Sequence, residues 1–373
     1  MKIVLYILLG FAILLGGFFV WFFLFFYKLP PLNIPQGSSD AQKIALIDEW
    51  FTTLQKENKF NGVVFFAKDG EALLAKGYGF TNYTKEETLT ENSSLRLASV
   101  SKQFTAAGIM RLKEKGMLNY DDLVSTYIEN FPYKDVSIRN LLNQTSGIPD
   151  IYMELAKRKK KEIDLLTNEI AVELIVTEKR KAESGPNEEF QYSNTNYIIL
   201  ARLIEILSGL SFEEFMRVEL FEPLGMENTR VWNLLSEEAT FDHKADDFKN
   251  FNGRASQLKP SFIDGVAGDG AVFCSAKDML IWDSFWYENP FIGQASLEEA
   301  FKKPQLNDGK TSNYGFGWVL TKEGMWHNGA WLGARTIISR DTANKTCWVV
   351  LDNSSNVFFD EIIEEFRSAN IDL

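Results

Sequence analysis

The sequence predicts an α/β (α+β) fold in which one sheet is made from both ends of the chain, with helices packed on it and a mostly helical insertion between. Three observations carry this. Two short apolar runs flank an Asp69-Gly70 turn early in the chain, the pattern of a β-hairpin. Further strand-like runs return only near the C-terminus. Between them, from about Ser99 to Ala300, apolar residues recur mostly at helical spacing. The simplest way to cover the apolar faces of both sets of strands is a shared sheet. With 373 residues, 45% apolar and 24% charged, the chain has ordinary globular composition and enough material for a sizeable core. Its net charge of -12 argues against a nucleic-acid partner, because long-range steering would be repulsive. Two cysteines, Cys274 and Cys347, cannot build a disulfide scaffold or a four-thiolate zinc site, and two histidines exclude a site with three histidine ligands. No cofactor is expected.

Residues 3–26 are apolar and uncharged. As a helix this run is about 36 Å long, enough to cross a membrane core of about 30 Å. It ends in bulky aromatic residues with no small-residue cleavage site, so an uncleaved anchor over residues 1–28 is expected. Two positive charges precede the run and Lys28 follows it, which favours N-in, C-out and a globular part on the non-cytoplasmic (periplasmic or extracellular) side. Residues 29–39 hold three prolines and read as a semi-extended linker. From 40 to 373 the chain reads as one unit, its α/β part at about 40–98 and 310–373 and its helical part at about 99–309. Residues 40–56 carry Ile44, Ile47, Trp50, Phe51 and Leu54 on one helical stripe. The hairpin follows, with Val63–Ala67 and Ala72–Ala75 as its arms. Helices are expected over 168–177, over 195–208 with Gly209 as the stop, and from Ser275, where Ser275-Ala-Lys-Asp278 fits a capping box. Strands are expected at 316–320, 325–327, 335–339 and 347–351, then a last helix at about 357–369. The basic run Arg158–Lys161 lies in a charged helical stretch and reads as a solvated face.

The chain has no Gly-x-Ser-x-Gly, no phosphate-binding loop and no His-Glu-x-x-His. What it has is Ser99-Val-Ser-Lys102 at the start of a helical pattern through Phe104, Ala107, Met110 and Leu112, stopping at Gly116. Positions i and i+3 share a face, so the Lys102 amine can meet the Ser99 hydroxyl and accept its proton without a histidine. A second match, Ser256-Gln-Leu-Lys259, begins no helix and precedes Pro260, so it is set aside. Tyr192-Ser-Asn194 lies on a loop just before a helix, where a tyrosine hydroxyl can face a cleft. Beside an ammonium such a tyrosine gains phenolate character and serves as a base. Tyr287-Glu-Asn289 has no such lead-in. Trp326-His327-Asn328-Gly329-Ala330 reads as a strand whose glycine lets another backbone lie close.

In order and rough spacing, Ser99-x-x-Lys102, Tyr192-x-Asn194 and His327-Asn-Gly329 resemble the three motifs of the serine β-lactamase and penicillin-binding-protein superfamily. The likeness is greatest to the branch with class C β-lactamases, D-Ala-D-Ala carboxypeptidases, D-amino-acid peptidases and related esterases. Leu141-Leu-Asn-Gln-Thr-Ser-Gly-Ile-Pro149, Phe221-Glu-Pro-Leu-Gly-Met, Gly270-Ala-Val-Phe-Cys-Ser-Ala-Lys and Tyr314-Gly-Phe-Gly-Trp extend it over about residues 60–350. The resemblance implies a β-lactamase-like fold with an antiparallel sheet. It implies Ser99 as acylated nucleophile, Lys102 and Tyr192 as the proton-transfer pair, the N–H groups of Ser99 and Ala330 as oxyanion hole, and Asn194, His327, Asn328 and Gly329 as substrate-binding residues.

One departure matters. His327 stands where many members have lysine, and Asn328 where they have threonine, so the fixed cation for a substrate carboxylate is missing. A histidine near its reference pKa of about 6.5 is mostly neutral near pH 7.5. The expected function is therefore a serine hydrolase acting on a small-molecule or peptide ester or amide. A carboxypeptidase or β-lactamase is the alternative, with Arg335 as the one residue able to restore a positive charge. A non-catalytic sensor of cell-wall or β-lactam-like ligands is the second alternative.

Overall fold

The computed structural model describes residues 10–18, 28–251 and 253–369. Helix α1 (Asp40–Lys56) starts on a capping box in which Ser39 and Gln42 bond each other's backbone. It is followed by the hairpin strands β1 (Gly62–Lys68) and β2 (Glu71–Tyr78). Strand β3 (Leu95–Arg96) leads into a 3-10 turn, Ala98–Ser101, and helix α2 (Lys102–Glu114). The middle of the chain holds α3 (Ile138–Leu142), α4 (Tyr152–Arg158), α5 (Asn168–Glu178), α6 (Asn194–Ser208), α7 (Phe212–Met216) and α8 (Glu222–Leu224). Then come the short strands β4 (Arg230–Val231), β5 (Phe248–Phe251), β6 (Arg254–Gln257) and β7 (Val272–Cys274), and helices α9 (Ala276–Phe285) and α10 (Gln294–Ala300). The chain returns through β8 (Val319–Leu320), β9 (Gly324–Trp331), β10 (Ala334–Asp341) and β11 (Thr346–Asp352) to α11 (Phe359–Ser368).

The sheet expected from the two chain ends forms. Its order is β2-β1-β11-β10-β9-β8, antiparallel throughout, and the ends meet where β1 pairs β11 from Gly62 opposite Asp352 to Lys68 opposite Thr346. Successive residues of a strand face opposite ways. Val64, Phe66, Ile337 and Val350 pack under Ile47, Trp50, Phe51 and Leu54 of α1 and Phe359, Ile362, Ile363 and Phe366 of α11. Val63, Phe65, Ile338, Val349 and Leu351 face the helical part. Both faces are covered, so the central strands are apolar nearly throughout. The helical part also contains two small sheets that periodicity did not reveal, β3-β7-β4 and β5-β6. Strands of two to four residues are too short to show a period. Ser256 lies on β6 and is exposed, so it has no helical turn linking it to Lys259. The run Arg158–Lys161 is mostly exposed, with Arg158 paired to Glu154. Cys274 and Cys347 are buried free thiols.

The expected anchor lies mostly outside the described residues. Residues 10–18 are helical, with Phe11, Ile13 and Leu14 exposed, and among the described residues no helix is long and apolar enough to cross a membrane. The segment 29–39 differs from a free linker. Leu32 is buried against the α1–α11 layer, its N–H donates to Glu365 Oε1 at 2.9 Å, and Pro30 accepts from Trp50 Nε1 at 2.8 Å. Its leucines gain apolar contact there that an extended tether would leave in water.

Arg340 of β10 and Asp283 of α9 form a pair with 1% of each side chain exposed, Nε to Oδ1 2.5 Å, and Arg340 Nη2 also donates to the Asp283 carbonyl. This pair ties the helical part to the sheet. Asp283→Ala leaves the guanidinium buried without its partner and should cost about 3–5 kcal/mol in urea unfolding. A loss under about 1 kcal/mol would show that water reaches the site.

Candidate active site

Ser99 sits on the 3-10 turn, where side chains at i and i+3 lie almost in line. The turn is clamped on two sides. Leu97 N–H donates to the Val272 carbonyl of β7 at 2.8 Å, and Ser101 Oγ accepts from Val272 N–H at 3.1 Å. From the sheet, Thr336 Oγ1 donates to the Leu97 carbonyl at 2.8 Å. Ala98, just before the serine, has φ +47°, a left-handed conformation that costs an L-residue about 1–2 kcal/mol and that the clamps hold in place. Ser99 is the one partly exposed residue between two buried neighbours, so its hydroxyl reaches the cleft.

Lys102 is fully buried and its Nζ has three acceptors: Ser99 Oγ at 3.1 Å, Asn194 Oδ1 at 2.8 Å and the Asp269 carbonyl at 2.8 Å. These match the three N–H donors of an ammonium. Asn194, the first residue of α6, donates its other amide group to Asp150 Oδ2 at 2.9 Å. The loop carrying Tyr192 and Asn194 is held by Gln144, whose Oε1 accepts from Ser193 N–H and Asn196 Nδ2. The loop carrying Asp269 is held by Thr105, which donates to the Gly268 carbonyl one helical turn beyond Lys102. Gly268 has φ +112°, and a Cβ there would lie 2.5 Å from Ala201 Cβ, so only glycine lets this loop approach α6. Tyr192 comes to the site ring first: Lys102 Nζ lies 5.1 Å from its ring centroid, and its hydroxyl bonds neither Ser99 nor Lys102.

Strand β9 supplies the other wall. A Cβ on Gly329 would lie 2.6 Å from the Leu97 carbonyl oxygen and 2.7 Å from Ser99 N. Glycine at this position lets the β9 backbone lie against the nucleophile turn. Ala330 follows it and lines the same small cavity as Ser99. That cavity holds about 80 Å³, and Tyr152, Asn194, Asp264, Asp269 and Trp331 also line it. Asp264, Asp269, Tyr152 and Trp331 were not legible in the sequence. Only the glycines flanking Asp269 hint at a tight backbone approach there.

The remaining expectations need correction. His327 does not face a substrate: it is 2% exposed, its Nδ1 lies 2.6 Å from the Asn328 carbonyl, and its Nε2 lies 2.9 Å from Tyr314 Oη. A carbonyl only accepts, so Nδ1 carries the proton and Nε2 accepts from the tyrosine. Burial, then the nearby Lys102 charge, push its pKa down to about 3. The Asn328 side chain is exposed on the opposite face from Gly329, so it too is not placed to bind substrate from the Ser99 side. Arg335 cannot restore the missing cation. Its neighbour Thr336 points to the nucleophile turn, so Arg335 shares the far face with Ile337.

A depressed histidine pKa has a signed consequence. Between about pH 6.5 and pH 3 the unfolded chain binds a proton at His327 that the folded chain does not. Its contribution to stability is therefore present above pH 6.5 and is lost as pH falls toward 3. Asp352, pushed up to about 6 by burial, acts in the opposite sense over part of this range. The difference between wild type and His327→Gln isolates the histidine: its advantage over the variant in urea unfolding should shrink from pH 7 to pH 5. A difference independent of pH would mean that the ring titrates normally.

Residues 47–369 match the family model described as beta-lactamase. The chain is similar to penicillin-binding protein 4* of Bacillus subtilis (strain 168), 36% identical over 317 residues that cover 81% of this chain and 70% of that one. It is similar to a D-aminopeptidase of Brucella anthropi, 28% identical over 284 residues, 74% of this chain and 52% of that one. Among solved structures, the octameric penicillin-binding protein homologue from Pyrococcus abyssi superposes with a TM-score of 0.70 at 24% identity, over 87% of this chain and 78% of that one, which bears on the fold. The sheet built from both chain ends, the helical insertion and these matches agree: the chain belongs to the beta-lactamase family, and it is a serine hydrolase.

Proposed function

We propose that Ser99 is acylated by an uncharged ester or amide, as in an esterase or a D-amino-acid peptidase, and that water then releases the acyl group. One observation carries this: a fully buried lysine amine 3.1 Å from the Oγ of a serine that opens into a cavity. For attack, the hydroxyl proton leaves along the Ser99–Lys102 hydrogen bond once Lys102 is in its amine form, and the same route returns it to the leaving group. Tyr192, whose ring covers Lys102, shares that transfer after its hydroxyl turns inward. The Ser99 N–H belongs to the first helical turn, which has no intrahelical acceptors of its own. Together with the N–H of Ala330 it forms the oxyanion hole, each donor being worth about 3–4 kcal/mol in related acyl transfer. Asn194 holds Lys102 through its Oδ1 and is the residue for the substrate's amide. The similarity to a D-aminopeptidase supports amide cleavage. The buried neutral His327 and the averted Arg335 disfavour the carboxylate substrates of a β-lactamase or carboxypeptidase.

We further propose that residues 3–26 attach the protein to a membrane, with the hydrolase on the non-cytoplasmic side. The uncharged run and the charge asymmetry around it support this.

Ser99→Ala should abolish labelling by a fluorophosphonate probe and ester turnover, while Ser256→Ala leaves both near wild type. Labelling at Ser256 instead would refute the assignment. Lys102→Ala and Tyr192→Phe should each lower kcat by at least about 100-fold, and the double variant little further, because groups acting as a unit are not additive. Near-normal turnover by Tyr192→Phe would remove it from the proton path. Full-length protein should sediment with membranes and protein lacking residues 1–28 should not. Removing residues 1–39 should cost about 2–4 kcal/mol more, through loss of the Leu32 contacts and the Trp50–Pro30 hydrogen bond.

A further inference from the structure

The chain's net charge of -12 is not spread evenly. Where α5 ends, an open cleft of about 750 Å³ is lined by Lys134, Lys179, Arg180 and Lys181 against the single carboxylate of Asp135. Arg180 shares Glu154 with Arg158, its Nη2 lying 3.6 Å from Glu154 Oε1. Among the described residues Lys134, Lys179 and Lys181 form no ion pair. Like charges gathered in this way repel one another, although the chain has 51 acidic residues to answer them. The end of α5 explains part of this. Lys179 is its C-cap, and a helix C-terminus favours a nearby cation. That dipole amounts to about half a charge and fades within one turn, so it does not account for the other three.

A second observation is independent of the charge. Tyr133 and Ser184 also line the cleft, and Tyr133 Oη and Ser184 Oγ are buried atoms with no hydrogen-bond partner. Tyr133 as a whole is 8% exposed. Burial raises its phenol to about 12 and Arg180 is the charge that pulls the other way, so the hydroxyl lies within reach of the guanidinium on the cleft wall. An unmet buried hydroxyl costs about 1–3 kcal/mol. Two such donors beside four cations call for the same kind of acceptor. The wall that carries Ser184 is held in shape. Glu183 N–H donates to the Gly147 carbonyl at 2.9 Å, and Asn187 N–H to the Thr145 carbonyl at 2.8 Å. Gly147 has φ +69°, and a Cβ there would collide with the Ser184 carbonyl oxygen. Ser146, which also lines the cleft, donates to Asn196 Oδ1 at 2.7 Å. The cleft thus backs onto the start of α6 and shares no lining residue with the cavity at Ser99.

We propose that this cleft is a second binding site, for an oligophosphate whose charges are met by Lys134, Lys179, Arg180 and Lys181 and whose oxygens accept from Tyr133 and Ser184. A phosphate group brings about two charges and three acceptor oxygens. That density matches four cations and two hydroxyl donors, whereas one carboxylate would leave most of them unmet. The volume is of the size that takes a whole small ligand, so a chain of several phosphates fits where a single ion would leave the cleft mostly empty. The site lies apart from the hydrolytic one and does not depend on Ser99 being the nucleophile.

The test is a calorimetric titration of tripolyphosphate into the full-length protein in a neutral detergent, where saturable binding is expected. Arg180→Ala combined with Lys181→Ala should weaken it at least about tenfold, and Tyr133→Phe at least about threefold. Lys157→Ala combined with Lys161→Ala removes the same charge from the neighbouring basic run and should change the affinity less than about twofold. Tyr133→Phe deletes a hydroxyl that bonds nothing in the fold, so its urea midpoint should not fall. One measurement needs no variant: saturating tripolyphosphate should raise the urea midpoint of wild type, as any ligand of the folded state alone must. Absence of saturable binding, or a wild-type midpoint that does not move, would overturn the proposal. Equal weakening by the two double variants would overturn it as well, because the attraction would then be diffuse. So would an affinity unchanged in both the Arg180–Lys181 variant and Tyr133→Phe. Tighter binding of dihexanoyl phosphatidylglycerol, which carries a single phosphodiester, would replace the oligophosphate with a lipid headgroup.

Discussion

The buried amine of Lys102 is held by hydrogen bonds to Ser99, Asn194 and the Asp269 backbone, the last of them 167 residues away in the chain. A buried ammonium is costly unless every N–H is met by an acceptor. Each of the three segments that supply an acceptor is itself pinned: the 3-10 turn by β7 and β10, the start of α6 by Gln144, and the Gly268–Gly270 loop by Thr105. The lysine thus joins the nucleophile to the helical part, and the cleft is the space left between these segments and β9.

The sheet's role follows from the same constraint. Strand β9 must reach the nucleophile turn with its backbone, and Gly329 is where that happens, since a Cβ would lie 2.6–2.7 Å from Leu97 O and Ser99 N. Thr336 on β10, opposite Gly329, adds a hydrogen bond to the same turn. On the far side, β1 and β11 join the two ends of the chain, which fixes β9 relative to the helical part that interrupts them. The buried Arg340–Asp283 pair is a second tie between sheet and helices. The β9 backbone and the Ser99 turn keep their relative geometry through both ties.

The cleft wall at β9 carries no fixed charge at position 327. His327 fills its position as a neutral ring bonded to Tyr314 and to its neighbour's carbonyl, so it shapes the wall without a charge. The charge that acts on the ring is the Lys102 ammonium, while the chain as a whole carries a net charge of -12.

Much of this was legible in the residues. The helix over residues 40–56, the hairpin at Asp69-Gly70, the long α6 closed by Gly209 and the returning strands all carry strong periodicity or caps, which are local properties. Ser99-x-x-Lys102 was legible because one turn of 3-10 or α-helix brings i and i+3 together whatever surrounds it. What the sequence by itself determined, then, was the sheet from both chain ends, the family motifs and the serine–lysine pair. Only the tertiary structure decided which way side chains on β9 and β10 face, because a strand's pattern does not say which of its two faces meets the nucleophile. That parity places Gly329 in the site and turns Asn328 and Arg335 away. It likewise decided that His327 is buried and neutral, and that Asp264 and Asp269, far from Ser99 in sequence, share its cavity. Such long-range proximity is set by packing between segments, and packing leaves no periodic trace in the chain.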